Sequence, residues 1–388
     1  MPEVGPFKGL LFDPAVAGEL DALTAPPYDV IGAEELDRFR ARSPFNITWV
    51  DLGEGPDDPK PKYTQAGRLF RRWRDEGVLA PVGPAVYPYE MAFPLEGEAR
   101  ILRGVILEVR LEDWGGGILP HERTMPGPVE DRLAQMRATG ANLSPIYALA
   151  RGVQAQAELL DRVTARNADR EVVDEDGVSH RLWVEPDTGA LTAAYEDRDV
   201  LIADGHHRYQ TSLVLQDELR RASGPGPWDA VMMFIVDVAA EDPPVLPYHR
   251  LVRVHPIPKL DGDPAHDLND LLVRLRDDGM RFGVAVRTET GVLYLVGSPG
   301  GDPPAVRALH EQVLDPMPGV TDIAFVKDAN AADRAVRAGE ADLALFLPPA
   351  KARDIQQAGE ARERLPEKST YFWPKLRTGL VIRPFAQG

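Results

Sequence analysis

The side chains best suited to chemistry lie in one run, Asp204, Gly205, His206, His207 and Arg208. The apolar residues 200–203 just before it read as a short buried strand, and a helical pattern opens at His206, so the order is strand, tight turn, helix. A helix start exposes backbone N–H groups and a partial positive charge, which together bind phosphate or carboxylate. His206, His207 and Arg208 add donors there, and Gly205 permits close backbone approach. Asp204 and His207 are candidates to move a proton. Neighbouring residues in a first helical turn point about 100 degrees apart, so one histidine can face a ligand while the other packs. The plainer reading is that Asp204 caps the helix and that the His pair and Arg208 make surface or interdomain hydrogen bonds.

A second polar cluster, His121, Glu122, Arg123 and Thr124, stands between a glycine run at 115–117 and a helix that opens after Gly127 and Pro128. His121 or Glu122 suits a general base, Arg123 an anion clamp and Thr124 a phosphate contact, roles that match phosphoryl transfer or hydrolysis. An ordinary polar surface loop has the same composition. Asn142 and Ser144 can contact a substrate, although turn formation accounts for both more simply. Tyr28 and Asp29 follow two prolines in a rigid segment that can line a site. The stretch 368–375 mixes lysines, hydroxyls and aromatics, a set suited to a phosphate and a ring or to packing on a core. The chain contains no GxxxxGK[ST], GxGxxG or HExxH pattern, so a nucleotide needs a different cradle.

The elements that position these groups are mixed. Strands are expected at 47–52, 85–93, 100–111, 145–150 and 200–203, then at 231–238, 245–254, 281–286, 291–296, 343–347 and 379–382. Helices are expected between them, at 33–42, 62–76, 129–137, 154–167, 206–221, 264–278, 305–314, 331–338 and 350–358. This succession indicates an α+β fold. A chain of 388 residues exceeds one hydrophobic core, and the Gly- and Pro-rich segment 222–228 reads as a linker, giving domains at 1–222 and 229–388.

Hydrophobic residues at 44% and charged residues at 27% belong to an ordinary globular protein. A net charge of −17 repels a phosphate backbone, which argues against general nucleic-acid binding. With no cysteine, thiolate catalysis and Cys-ligated metals are excluded; His and carboxylates remain as strong ligands, and the metal is left open. Residues 1–11 lack a basic-then-apolar leader and no window reaches the roughly 20 apolar residues of a membrane span, so the expected place is the cytoplasm.

The phrases at 121–124, 130–133, 137–145 and 203–209, with 25–30 and 368–375 toward the ends, resemble a family called domain of unknown function 1015. The Asp-Gly-His-His-Arg turn is also similar to that of the ParB/sulfiredoxin-like superfamily, which includes a free-serine kinase. That second resemblance implies a mixed-sheet N-terminal domain with a strand-turn-helix core, and the elements after the linker are expected to form a C-terminal α/β domain. It makes Gly205 to Arg208 the phosphate-contacting turn and Glu122 an acid or base. The sulfiredoxin activity needs a cysteine that this chain lacks. The function so implied is a small-metabolite phosphotransferase using a nucleotide with Mg²⁺ and acting on a small phosphorylated ligand. A phosphatase or other hydrolase, and a non-catalytic nucleotide-sensing module, are the alternatives.

Overall fold

The computed structural model describes residues 2–55, 59–121, 127–186, 188–278, 282–297, 305–363, 365–366 and 368–385. The chain forms two compact units, one of Met1–Asp242 with Gly359–Arg362 and Pro374–Gly388, the other of Pro243–Ala358 with Glu363–Trp373. The division therefore does not fall at 222–228. There Pro227–Asp229 is a single 3-10 turn, whose Asp229 accepts hydrogen bonds from the Gly226 N–H, Gln216 and Arg220. The strand that follows enters the middle of the first unit's sheet, so glycine and proline here serve a tight turn between packed elements.

In the first unit the elements used below are β1 (Phe7–Phe12), α1 (Thr48–Asp51), α2 (Pro59–Asp75), β2 (Leu79–Ala85), β3 (Tyr87–Leu95), β4 (Glu98–Arg110), β5 (Ile118–Pro120), α3 (Gly127–Thr139) and β6 (Ile146–Ala150). They continue with α4 (Gln154–Thr164), β7 (Arg170–Val173), β8 (Ser179–Leu182), β9 (Val200–Asp204), α5 (His206–Ser223) and β10 (Ala230–Asp237). Among the described residues they build a nine-stranded mixed sheet in the order β5, β9, β6, β10, β4, β3, β8, β7, with Val4–Gly5 also paired to β4. β9 runs parallel to β5 and β10 parallel to β6; the other pairings are antiparallel. β1 and β2 form a separate antiparallel pair.

The central strands are apolar along their length because both faces are covered. Val200, Leu201 and Ile202 are fully buried, as are Ile146, Ala148 and Met233 to Val236. Tyr209 on α5 and Leu159, Leu160 and Val163 on α4 join this core. Such a strand can emerge only at its end, which delivers Asp204 and the start of α5 to the carboxyl end of β9. The expected strand at 47–52 is instead the helix α1. The Asn46 side chain accepts from the Thr48 N–H at 3.1 Å and from the Thr48 hydroxyl at 2.7 Å, a local turn that overrides the β-branched composition.

In the second unit β11 (His249–Val254), β12 (Asp263–Ala265), β13 (Phe282–Thr288), β14 (Gly291–Gly297), β15 (Val320–Val326) and β16 (Leu343–Phe346) form an antiparallel sheet in the order β12, β14, β13, β16, β11, β15. Helices α6 (Leu268–Asp278) and α7 (Ala329–Ala338) pack on it through Leu271, Leu275, Ala332 and Val336. The single strand expected at 245–254 is split, because Pro247 separates Pro244–Leu246 from β11. No helix among the described residues is long and apolar enough to cross a membrane.

Candidate functional site

The site grows from the end of β9. Its pairing with β6 shifts register between Ile202 and Asp204, a bulge that turns the Asp204 side chain out of the strand alternation. The next residue, Gly205, has φ +99 and opens α5. A Cβ at that position would lie 2.9 Å from Nε of Arg208, so both the left-handed backbone and the close guanidinium demand glycine. Gly205 has no side chain to cap the helix, and Asp204 does not replace it.

Asp204 is instead the centre of a charge cluster. One carboxylate oxygen accepts from Nζ of Lys375 at 2.8 Å and the other from Nη2 of Arg208 at 2.7 Å. The two cations are nearly buried, with side chains 10% and 11% exposed. Burial opposes the charge on Asp204, but Lys375 and Arg208 outweigh it and hold the carboxyl well below the usual carboxylate range. Arg208 also donates to Oγ of Ser144 at 3.1 Å and to the Pro145 carbonyl.

The two histidines of the turn part company, as their angular separation requires. His206 is buried, with its ring 4.8 Å from that of His121 and stacked at 6.3 Å on Trp114. Nε2 of His206 accepts from the His121 backbone N–H at 3.4 Å, and Nδ1 of His121 donates to the Ile202 carbonyl at 2.7 Å. His207 is partly exposed in the same turn. His121 reaches the turn because β5 and β9 run parallel and end together. Glu122, Arg123 and Thr124 lie outside the described residues. Ser144 touches the cluster through Arg208, whereas Asn142 turns its side-chain oxygen to the Met232 N–H at 3.2 Å and to Arg383.

A second charged cluster, absent from the sequence-based site, lies beside the first. Arg132 on α3, 3% exposed, donates to Asp51 at 2.9 Å, to the Tyr63 hydroxyl at 2.6 Å and to Asp131 at 3.0 Å. Its guanidinium lies 4.0 Å from the centre of the Tyr28 ring. Burial pushes the Asp51 carboxyl up, against the pull of Arg132, and pushes the Tyr28 hydroxyl up to about 12. The two clusters border a small void of about 20 Å³, lined by Tyr28, Asp51, Arg132, Ser144 and Arg208 among others, which is room for about one water. Asp51 lies 81 residues from Arg132 and Lys375 lies 171 from Asp204, so no local pattern announces either pair. The stretch 368–375 combines lysines and aromatics, but nothing in its pattern distinguishes Lys375 from Lys368. Among the described residues no group of three His, Asp or Glu side chains is arranged to hold a metal ion.

No curated protein matches the chain. Among solved structures, a free serine kinase in complex with AMP is 13% identical with a TM-score of 0.36, covering 70% of this chain and 90% of its own. A mutant of a free serine kinase in complex with ADP is 13% identical with a TM-score of 0.35, covering 67% and 87%. A conserved hypothetical protein from Pyrococcus furiosus is 12% identical with a TM-score of 0.34, covering 70% and 93%. These are distant likenesses. The family described as "Protein of unknown function (DUF1015)" matches residues 4–264, and the chain belongs to that family.

Proposed function

We propose that the protein binds the phosphate groups of a nucleotide at the first turn of α5 and acts as a cytoplasmic small-metabolite phosphotransferase. The observation that carries this reading is the Asp204 cluster: one ionised carboxylate holds Lys375 and Arg208 beside the glycine-opened start of an 18-residue helix. A helix start and two ordered cations are the elements that neutralise phosphate oxygens. The strand, left-handed glycine and helix also follow the order of a ParB/sulfiredoxin-like turn, which is how we read this core.

In the reaction so proposed, an acceptor hydroxyl oxygen bonds to the terminal phosphorus while the bond to the bridging oxygen breaks and the nucleoside diphosphate leaves with that electron pair. The hydroxyl proton passes to a base. Asp204, held as a carboxylate by two cations, suits positioning Lys375 and Arg208 better than taking a proton. His207 and Glu122 therefore remain for the proton. A magnesium ion would be carried chiefly by the phosphates themselves.

Calorimetry with ATP, ADP and inorganic phosphate, with and without Mg²⁺, followed by turnover with serine and other small alcohols, tests the reading. Saturable nucleotide binding that weakens in Lys375→Ala, with product formation lost in His207→Ala, supports it. Binding without turnover reduces the protein to a nucleotide-sensing module, and absence of any phosphate or nucleotide binding removes the proposal.

A further inference from the structure

The first unit contains a larger cavity, of about 520 Å³, between β1, β2 and the last turn of α2. That size lies within the range of small-molecule sites, roughly 300–1,000 Å³. Its base is electrostatically closed: Arg383, 3% exposed, donates to Glu108 at 2.8 and 2.7 Å and to the Pro227 and Ala230 carbonyls at 2.7 and 3.0 Å. Its walls are not. Lys8 on β1 and Arg71 and Arg74 on α2 line the cavity, and none of the three has an ion-pair partner among the described residues. Arg71 and Arg74 stand three residues apart and share one helix face, while the intervening Arg72 pairs with Glu76 at 3.9 Å. The remaining wall carries one carboxylate, Asp75, next to Arg74, and Pro6, Pro81, Pro84 and Pro384, rigid apolar surfaces without N–H donors.

In a chain of net charge −17, three unpaired cations around one proline-walled cavity are unexpected as solvation alone. We propose that this cavity binds a small phosphate monoester, its dianionic group held by Lys8, Arg71 and Arg74 and its apolar body against the prolines. Against the single carboxylate of Asp75 the three cations leave an excess of two positive charges, which suits a group that carries close to two negative ones at neutral pH. The proposal does not depend on the reading of the α5 turn.

Phenyl phosphate is the probe, with phenol and inorganic phosphate as its two halves. Calorimetry on the intact chain is expected to show saturable binding of phenyl phosphate, at least about tenfold tighter than either half, falling at least about tenfold in Arg71→Ala/Arg74→Ala. Arg71 is exposed and Arg74 half-buried, and neither is in an ion pair among the described residues, so the double variant should keep its thermal midpoint, and Lys8→Glu at an exposed position serves as a second variant with the same expected loss. Hydrogen exchange should show protection over residues 6–10 on adding the probe. Three results overturn the proposal: no saturable binding of phenyl phosphate, binding equally strong in both variants, or protection confined to residues 206–210. The last outcome would leave the α5 reading standing and remove this one.

Discussion

The clamp on Asp204 makes a quantitative prediction through a double-mutant cycle of Asp204→Asn and Lys375→Met. Asp204→Asn keeps the shape but removes the charge that two nearly buried cations share at 2.7 and 2.8 Å. Hydrogen bonds to charged groups contribute about 1.5–3 kcal/mol each, and removing one partner of a buried pair costs about 3–5 kcal/mol. With the Asp204 side chain 23% exposed, the lower end applies, so the expected loss is about 3 kcal/mol. Lys375→Met alone leaves Asp204 with Arg208 and should cost about 2 kcal/mol. Once Asp204 is already Asn, removing Lys375 relieves its repulsion with Arg208 and should cost close to nothing. The coupling is therefore about 2 kcal/mol, roughly a 30-fold factor in the folding equilibrium. Urea unfolding followed by tryptophan fluorescence reads the relevant unit, since Trp49, Trp73, Trp114, Trp183 and Trp228 lie in the first unit and only Trp373 in the second. Because the folded carboxyl lies below its unfolded value, its stabilisation is present above the unfolded value and is lost only as pH falls through the folded one. The coupling should thus be the same at pH 7 and pH 5. Additivity of the two changes within about 0.5 kcal/mol, or a coupling that disappears at pH 5, refutes the clamp.

Replacing Arg132 by Met strands the Asp51 carboxylate, 6% exposed, and should cost about 3–5 kcal/mol at pH 7. Asp51 is already raised by burial, and a carboxyl raised on folding binds more protons in the native state, so the deficit should shrink as pH falls from 7 to 5. A deficit independent of pH, measured by urea midpoints, contradicts this assignment. In the second unit, burial and then Arg250 push His249 down to about 4, so its contribution is intact at neutral pH and is lost as pH falls from the unfolded value toward 4. About 3 kcal/mol is involved, and His249→Gln should flatten the acid limb of the thermal midpoint. Gly205→Ala should destabilise by about 2 kcal/mol through its φ of +99 and the clash with Arg208, and should weaken phosphate binding as well. An unchanged midpoint would mean that the turn can relax.

The parts of this site that are legible in the sequence are the ones encoded locally. The run 200–203 reads as a buried strand because a strand covered on both faces is apolar throughout, and Asp204-Gly205 interrupts it sharply. The meeting of His121 with the turn follows from the parallel pairing of β5 with β9, which the sequence leaves open. By contrast, residues 47–52 look like a strand until the Asn46 side chain is seen to hold Thr48 in a turn. Segment 222–228 looks like a linker by composition, yet Asp229 ties it to α5 through Gln216 and Arg220. The pairs Arg132–Asp51 and Lys375–Asp204 are closed by the tertiary fold across long stretches of chain, so their charges are indistinguishable in the sequence from solvated ones.

A crystal structure with ADP and Mg²⁺ decides whether the first turn of α5 holds nucleotide phosphates. Phosphate oxygens are expected within about 2.7–3.2 Å of Nζ of Lys375 and of backbone N–H groups in residues 206–208. Phosphates bound elsewhere on the first unit, with the Asp204 cluster untouched, would contradict it.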